Sequence, residues 1–258
     1  MRANITINRH GSVIGSHSTI PPDGGITATR VNQNFSIALD KQPSVFVLLE
    51  MIRILRAIND AVALVDPSNT KVDVHNRSSI CLLLAQKALN QLEGDHKGLF
   101  SSKVRTVTHS SLQHEALPDE LLRLSRLQIL DTDVPTALAK LFSAQIQNLV
   151  LIGHTLSMQL CFIAVPRNLC WPSPEPLTGQ PLSNFMAPPH DTWLKIIYEL
   201  SLATRQQIYH CGTMRLPMGE TRHFKRLIYP LTGQDKRSHH YRIATTAVFS
   251  AHPGAVTL

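Results

Sequence analysis

The chain has 258 residues, of which 43% are hydrophobic and 5% aromatic, and its formal net charge is +7. This composition excludes a disordered tail and a collagen-like fibre, and 4 cysteines are too few for a disulfide scaffold of this size. The length suits one large or two small domains.

The N-terminal stretch, residues 1–35, is rich in Asn, Ser, Thr and Gly and contains the turn cluster Pro21–Gly25. Such a segment has little apolar surface to bury, so we expect a flexible or extended arm.

Residues 36–110 are predicted to form a helical region. Ser44 can cap a helix in which apolar residues recur at helical spacing from Val45 to Val62, ending before Pro67. A second helix is predicted between a Ser78 or Ser79 cap and Gly94. The apolar faces of the two helices suit either an intramolecular hairpin or the seam of a homodimer.

Residues 111–258 combine short helices with strands. In chain order, the patterns predict a short helix introduced by Leu117 and Pro118, a helix capped by Asp133, one or two strands in Leu149–Val165, a helix capped by Asp191, and a terminal hairpin of Phe224–Leu231 and Tyr241–Phe249. This succession predicts an α+β fold.

Two observations bear on location and metal binding. The segment Leu141–Pro166 is uncharged and long enough to cross a bilayer, but polar residues such as Gln147 and Asn148 would need partners in lipid, so we expect no membrane span. No apolar leader opens the chain, and the cysteines show no CxxC spacing. We therefore expect a cytoplasmic protein with reduced thiols and without a metal site.

The positive charge is concentrated near the C-terminus. Residues 205–242 hold eight Lys or Arg and two Asp or Glu, which places six of the seven net charges there. A basic surface of Lys225, Arg226, Lys236 and Arg237 is the predicted nucleic-acid-binding alternative. On a strand, however, Phe224 and Arg226 share one face and Lys225 the other, and splitting the charge this way disfavours a nucleic-acid partner.

Four short motifs follow one another in the C-terminal half: Asp131-x-Asp133-x-Pro135, Leu151–Leu156 (LIGHTL), Leu177–Leu182 (LTGQPL) and Phe224–Leu231 (FKRLIYPL). Their order resembles that of a divergent bacterial PAS-like family, in which a "D-x-D-P" helix leads to a "liGt" strand, a "ltG-x-x-l" turn, a helix and an "rlllPL" strand. The resemblance covers residues 115–250. It implies a five-stranded antiparallel sheet with helices on one face, and a non-enzymatic sensory or regulatory domain that binds a small molecule or a protein partner.

Within that hypothesis, His154, Trp193 and Tyr229 are the candidate ligand-binding residues. His154 is the leading polar candidate, although a histidine in its position is also typical of a hydrogen-bonded residue in a strand. The Asn-Cys-Arg run of flavin-binding members is absent from the sequence, and no histidine is singled out for haem, so the cofactor stays unknown.

A catalytic alternative starts from Ile5–Gly11, which resembles the strand and RHG start of the histidine phosphatase superfamily. Ser101–Arg105 resembles its second arginine motif, and Leu149–His154 resembles its late strand that ends in a histidine. The site that this resemblance implies consists of His10 as nucleophile, Arg9, Arg105 and His154 on the phosphoryl oxygens, and Glu115 as acid. A lone RHG is equally typical of an exposed basic loop.

Overall fold

The computed structural model describes residues 2–15, 21–31, 34–58, 61–65, 72–112, 117, 119–127, 133–144, 149–154, 159–165, 177–185, 188–215, 219–231 and 242–250. The chain divides into two compact units, Met1–Leu92 and Glu93–Leu258, called unit 1 and unit 2. The division therefore falls near the end of the second predicted helix instead of at residue 110.

Unit 1 contains a mixed sheet and two helices. Its strands are β1 (Arg2–Ile7), β2 (Val13–Gly15), β3 (Ile26–Val31), β4 (Asn34–Leu39), β5 (Ala61–Val65) and β6 (Val72–His75), in the spatial order β2-β1-β3-β4-β5-β6. Helix α1 (Val45–Arg56) connects the parallel strands β4 and β5, and α2 (Arg77–Asp95) follows β6. Crossing to a parallel neighbour needs a helical connection of this kind.

Most of the described residues of the arm predicted for residues 1–35 belong to the sheet. Apolar residues two positions apart, such as Ile26 with Ala28 and Phe35 with Ile37, are buried, with exposed fractions of 2% or less. Threonines and serines alternate with them, so each strand alone looks polar and only pairing with its neighbours buries its apolar side. For the same reason residues 36–110 are not a purely helical region but also contain β5, β6 and a further strand, β7 (Phe100–Thr106).

The first predicted helix is confirmed at its start. The Ser44 hydroxyl accepts a hydrogen bond from the Val47 amide at 3.4 Å, as expected of an N-cap. The helix ends at Arg56, earlier than predicted, because Val62 pairs with Phe35 in the parallel ladder of the sheet. Most apolar residues of α1, including Leu48 and Ile52, are buried within the single chain, whereas Phe46 is 58% exposed.

Unit 2 is built on an antiparallel sheet. Its strands are β7 (Phe100–Thr106), β8 (Leu149–His154), β9 (Leu160–Ala164), β10 (Ile208–Arg215), β11 (Thr221–Leu231) and β12 (Arg242–Ser250), in the spatial order β7-β10-β11-β12-β8-β9. Its remaining helices are α3 (His109–Leu112), α4 (Asp119–Arg126), α5 (Val134–Ser143), α6 (Leu182–Phe185) and α7 (His190–Thr204). The predicted α+β fold class is confirmed.

Several local predictions in unit 2 agree with the structure. Asp133 caps α5 by accepting a hydrogen bond from the Thr136 amide at 2.9 Å, and hydrogen bonds from Thr136 lower the pKa of this carboxyl. The predicted hairpin of the last two strands is the β11–β12 pair. Asp191 is not the N-cap of α7, however; it lies in the first turn and binds Lys195 at 2.8 Å.

Helices cover both faces of the unit 2 sheet, whereas the PAS-like resemblance implied helices on one face. We name the two sides the α7 face and the α4 face after the helices that cover them. On the α4 face, leucines of α4, α5, β8 and β11 form a core with Tyr209 and Tyr229. Strand β11 is consequently buried on both sides from Arg226 to Leu231. Within the described part of the chain, no helix has the length and apolar character needed to cross a membrane.

Candidate ligand site

The α7 face of the sheet carries a buried charged residue, Arg226. Strand alternation places Arg226 between Phe224 and Ile228 on this face, and α7 covers all three, so that Arg226 is only 7% exposed. The sequence predicted Arg226 as part of a basic surface; the structure shows that this prediction is wrong, because the pairing of β11 with its neighbours and with α7 removes the side chain from solvent.

The guanidinium of Arg226 is held by two hydrogen bonds. Its Nε donates to His210 Nδ1 at 2.7 Å, and its Nη1 donates to the Tyr198 hydroxyl at 3.2 Å. The Arg226 Cζ atom also lies within 6 Å of three ring centroids: Trp193 at 5.5 Å, Tyr198 at 5.3 Å and Phe224 at 5.8 Å. The remaining nitrogen, Nη2, is buried and makes no hydrogen bond to any described residue.

The charge state of His210 follows from this geometry. A guanidinium only donates, so His210 Nδ1 must accept, and the ring hydrogen is on Nε2, which donates to Ser102 Oγ at 3.0 Å. Burial, and secondarily the positive charge of Arg226, hold the pKa of His210 well below its ordinary value of 6.5. His210 is therefore neutral at physiological pH, and the net charge of this group of residues is that of Arg226.

Ser102 completes the group because its hydroxyl also accepts a hydrogen bond from the Trp193 indole nitrogen. We call the six residues the Arg226 cluster: Ser102, Trp193, Tyr198, His210, Phe224 and Arg226. The serine and histidine do not form a nucleophilic pair. His210 Nε2 already carries its hydrogen and cannot take the proton of Ser102, and the other ring nitrogen faces an arginine where a catalytic triad has a carboxylate.

Ring packing fixes the position of Trp193. The indole stacks on Phe100 with a centroid distance of 5.2 Å and an interplanar angle of 21°. It meets His210 and Phe224 edge to face at 5.1 and 5.5 Å. These contacts join α7 to strands β7, β10 and β11, so a displacement of α7 would disturb each of them.

The close approach of β7 to β10 brings Ser102 into the cluster. Gly212 lies opposite Ser102 in the ladder, and a Cβ atom there would be 1.9 Å from the Ser101 carbonyl oxygen. Glycine is consequently required at this point of the sheet for the backbones to pair.

His154, the leading candidate from the sequence, is also on the α7 face. Its Nε2 lies 3.2 Å from a carboxylate oxygen of Glu199 on α7, and both side chains are 1% exposed. Trp193, the second candidate, belongs to the Arg226 cluster. The third, Tyr229, is on the α4 face, where its hydroxyl donates to the Leu124 carbonyl at 2.8 Å and burial raises its pKa.

The residues of the catalytic alternative are not assembled by the sheet. Arg105 on β7 and His154 on β8 are separated by three intervening strands, which corresponds to about 19 Å. Arg105 lies over the Tyr209 ring at 5.1 Å, on the α4 face. Arg9 and His10 are exposed in the β1–β2 turn of unit 1, and the His10 amide donates to Asn8 Oδ1 at 3.0 Å. Glu115 lies outside the described residues.

Of the predicted basic surface, Lys225 is half-buried on the α4 side of β11. Lys236 and Arg237 lie outside the described residues. Among the residues that are described, no group of three or more His, Cys, Asp or Glu side chains is placed to hold a metal ion.

Sequence reasoning missed Ser102, Tyr198 and His210. No motif singled out these three residues for a ligand site, and they meet only through the pairing of β7 with β10 and the packing of α7. The sequence did contain one signal. In the predicted strand, Arg226 has the apolar residues Phe224 and Ile228 on its own side and Leu227 next to it, and such apolar neighbours indicate a buried position. Comparison with protein-family models, curated proteins and solved structures found no match to this chain.

Proposed function

We propose that unit 2 is a non-enzymatic, PAS-like sensory or regulatory domain that binds a small molecule between α7 and the sheet. The observation that carries the proposal is the Arg226 cluster, a charged and hydrogen-bonded group placed where the fold requires only apolar packing. The opposite face of the same sheet has an apolar core and shows that this fold can be stabilised without such a group.

Energetics support a role beyond stability. Transfer of a charged group into a protein interior costs several kcal/mol, and an apolar side chain of similar volume is often the more stabilising choice. Hydrogen bonds and three rings offset part of the cost for Arg226. They do not supply a negative charge: among the residues that the structure describes, Tyr198 influences the pKa of Arg226 but no carboxylate does. A retained buried cation of this kind is a candidate binding group.

The arrangement of the elements supports the PAS-like part of the proposal. The described residues of the motifs that carry the resemblance fall at the start of α5, on β8, in the turn at Gly179 and on β11, in the expected order. The five strands β8 to β12 are antiparallel and contiguous in the sheet, with α6 and α7 between β9 and β10, and β7 is added at one edge.

The same geometry suggests how binding is transmitted. Helix α7 provides Trp193 and Tyr198 to the Arg226 cluster and Glu199 to His154 on β8. A ligand that changes the contacts of Arg226 would therefore change the position or stability of α7, which makes this helix the output element of the domain.

A binding screen on the full chain tests the proposal. The panel consists of small aliphatic and aromatic alcohols, amides, amines and carboxylates, and the measurement is the thermal unfolding temperature. A compound at 100 times its Kd is expected to add about 2.7 kcal/mol to the free energy of unfolding. The stabilisation should be lost in Trp193→Leu and kept in Tyr229→Phe, the matched change on the α4 face. A panel without any stabilising compound, or hits that Trp193→Leu leaves intact, would contradict the proposal.

An enzymatic function has its own test. Wild type and His10→Ala are compared in the hydrolysis of a generic aryl phosphate. We expect no turnover by either protein, and turnover that disappears with His10→Ala would show that the non-enzymatic proposal is wrong.

We further propose that this domain acts in the cytoplasm. Cys81, Cys161 and Cys211 are free thiols, as is usual in reducing compartments, and burial raises the pKa of the Cys81 thiol to about 12, which keeps it unreactive. Quantitative thiol labelling of the unfolded protein after extraction under acid quench should find these cysteines reduced; a disulfide among them would contradict this location.

A further inference from the structure

We propose that the molecule bound by unit 2 is a small monocarboxylate, held by Nη2 of Arg226 and the hydroxyl of Thr245. This inference rests on the proposed ligand-binding function and specifies the chemistry of its ligand. It comes from two buried polar groups on the α7 face that make no hydrogen bond to any described residue.

Thr245 is the second of these groups. It lies on β12 opposite Ile228, and side chains that face each other across a ladder point to the same side of a sheet, so Thr245 shares the α7 face with Arg226. Arg226 itself is opposite Ala247, which makes Thr245 its diagonal neighbour in the ladder, with Cα atoms roughly 7–8 Å apart.

Both groups are buried polar atoms of the kind that normally have partners. Arg226 is 7% exposed and Thr245 is 5% exposed, and neither Nη2 nor Oγ1 has a hydrogen-bond partner among the described residues. A buried donor without an acceptor is costly, and two on one face at diagonal spacing point to an acceptor that bridges them.

The charge of the surroundings selects a monoanion. Arg226 contributes one positive charge and His210 is neutral, while Glu199, which follows Tyr198 on α7, lies 3.2 Å from His154. One negative charge would balance the Arg226 cluster, whereas a phosphate dianion would leave an uncompensated charge in the interior. A carboxylate has two oxygens, one for the guanidinium and one for the hydroxyl, and guanidinium–carboxylate hydrogen bonds are among the strongest in proteins.

Burial also connects binding to the motion of α7. Helix α7 contacts Arg226 through Trp193 and Tyr198 and packs against both β11 and β12, so we infer that a ligand enters when this helix moves away from the sheet. The carboxylate then replaces hydration with two charge-assisted hydrogen bonds among the rings of Trp193, Tyr198 and Phe224. Ligand binding and the displacement of α7 are therefore thermodynamically coupled.

The test compares acids with their neutral amides on the full chain: acetate with acetamide, butyrate with butyramide, and benzoate with benzamide, at constant ionic strength. Binding is followed by thermal unfolding and by Trp193 fluorescence in a Trp171→Phe background, which leaves a single tryptophan. We expect at least one carboxylate to raise the unfolding temperature and change the fluorescence, and its amide to do neither.

Three variants locate the site. Arg226→Gln should weaken carboxylate binding by about tenfold or more, the loss expected for one charge-assisted hydrogen bond. Thr245→Val keeps the shape of the side chain and removes the hydroxyl, and should weaken binding by about fivefold. Arg222→Gln, on the same strand but paired with Glu220 near the surface, should leave binding unchanged.

The outcomes separate this inference from the proposed function. Amides that bind as tightly as the acids, or amides that bind at the Arg226 cluster when no acid does, would overturn the assignment of a carboxylate ligand. Ligand binding by unit 2 would still be supported. Equal stabilisation by sodium nitrate would show a general anion effect and would also overturn the carboxylate assignment. Carboxylate affinity that persists in Thr245→Val would overturn it too. This variant is decisive even if Arg226→Gln does not fold. A complete lack of response, across the wider panel as well, would contradict the proposed function itself.

Discussion

The two faces of the unit 2 sheet are built from alternate residues of the same strands, yet they bury different chemistry. Towards α4, strand β11 presents Leu227 and Leu231, which pack with leucines of the helices, and a tyrosine whose hydroxyl is bonded to a helix carbonyl. Towards α7 it presents Phe224 and Arg226, which meet rings, hydroxyls and a neutral histidine.

This difference distinguishes the residues that stabilise the fold from the residues proposed to bind the ligand. Burying one leucine side chain contributes about 1.5–3 kcal/mol, whereas burying an unpaired guanidinium costs several kcal/mol. Adjacent residues of one strand, Arg226 and Leu227, are therefore expected to differ strongly in their contribution to stability. The α4 face provides the net stabilisation that allows the α7 face to keep a charge in its interior.

The largest expected contrast is between substitutions of those two neighbours. Leu227 is fully buried, and Leu227→Ala should lower the free energy of unfolding by about 2–5 kcal/mol through lost burial and the resulting cavity. Arg226→Met should change it by no more than about 1 kcal/mol, because relief of the desolvation cost offsets the loss of the His210 hydrogen bond. Urea unfolding of both variants measures the two values.

The linked expectation concerns ligand response. Leu227→Ala should still be stabilised by a carboxylate, and Arg226→Met should not. If Arg226→Met destabilised the protein as strongly as Leu227→Ala, Arg226 would be a structural residue and the contrast between the faces would not hold.

A second substitution should separate β7 from β10 and so remove Ser102 from the α7 face. Gly212→Ala places a Cβ atom 1.9 Å from the Ser101 carbonyl oxygen, so the two strands must separate, at a cost of about 2–3 kcal/mol. Separation also moves Ser102 away from His210 and Trp193. The matched control is Gly94→Ala in α2, where no atom lies within 4 Å and better helix propensity should stabilise by up to about 1 kcal/mol. Circular dichroism melts compare the two variants, and equal melting temperatures would contradict the expected clash.

The sequence predicted the parts of this comparison that depend on local pattern. The Asp133 cap, the terminal hairpin and the alternation that puts Phe224 and Arg226 on one side of a strand are all present in the structure. Capping and alternation depend on neighbouring residues, so they can be identified without knowing the fold.

The burial of Arg226 and the sheet of unit 1 depend on partners far away in the chain. Charge alternation on β11 was interpreted as solvent exposure, but α7 and β10 cover that side. Similarly, β1 to β4 look like an arm because Thr6 and Thr27 interrupt their apolar residues, and both threonines are in fact buried. In both cases burial depends on pairing with distant segments of the chain, and the residue pattern of one segment does not indicate that pairing.

Acidification should weaken the α7 face selectively. The folded-state pKa of His210 is held well below 6.5, so below about pH 6.5 the unfolded chain binds more protons than the folded one. The contribution is complete above that pH and is lost as the pH falls towards the folded-state pKa, by up to about 1.4 kcal/mol per unit. Urea titrations between pH 7.5 and 5.5 measure the slope.

His210→Asn should flatten that slope, and His10→Asn, an exposed histidine in a turn of unit 1, should not. His190, whose pKa is also lowered by burial, contributes equally in all three proteins. A slope that His210→Asn leaves unchanged would show that His210 is protonated in the folded state, in conflict with the hydrogen bond it accepts from Arg226.

The smallest expected effect is that of Tyr229→Phe on the α4 face. The change removes one hydrogen bond, from the tyrosine hydroxyl to the Leu124 carbonyl at 2.8 Å, and should cost about 1 kcal/mol in urea unfolding while the ring keeps its packing. Since Tyr229 points away from α7, the stabilisation produced by a bound carboxylate should equal that of the wild type. A reduced ligand response would mean that the two faces are coupled through β11, and that the leucine core of the α4 face takes part in sensing as well as in stability.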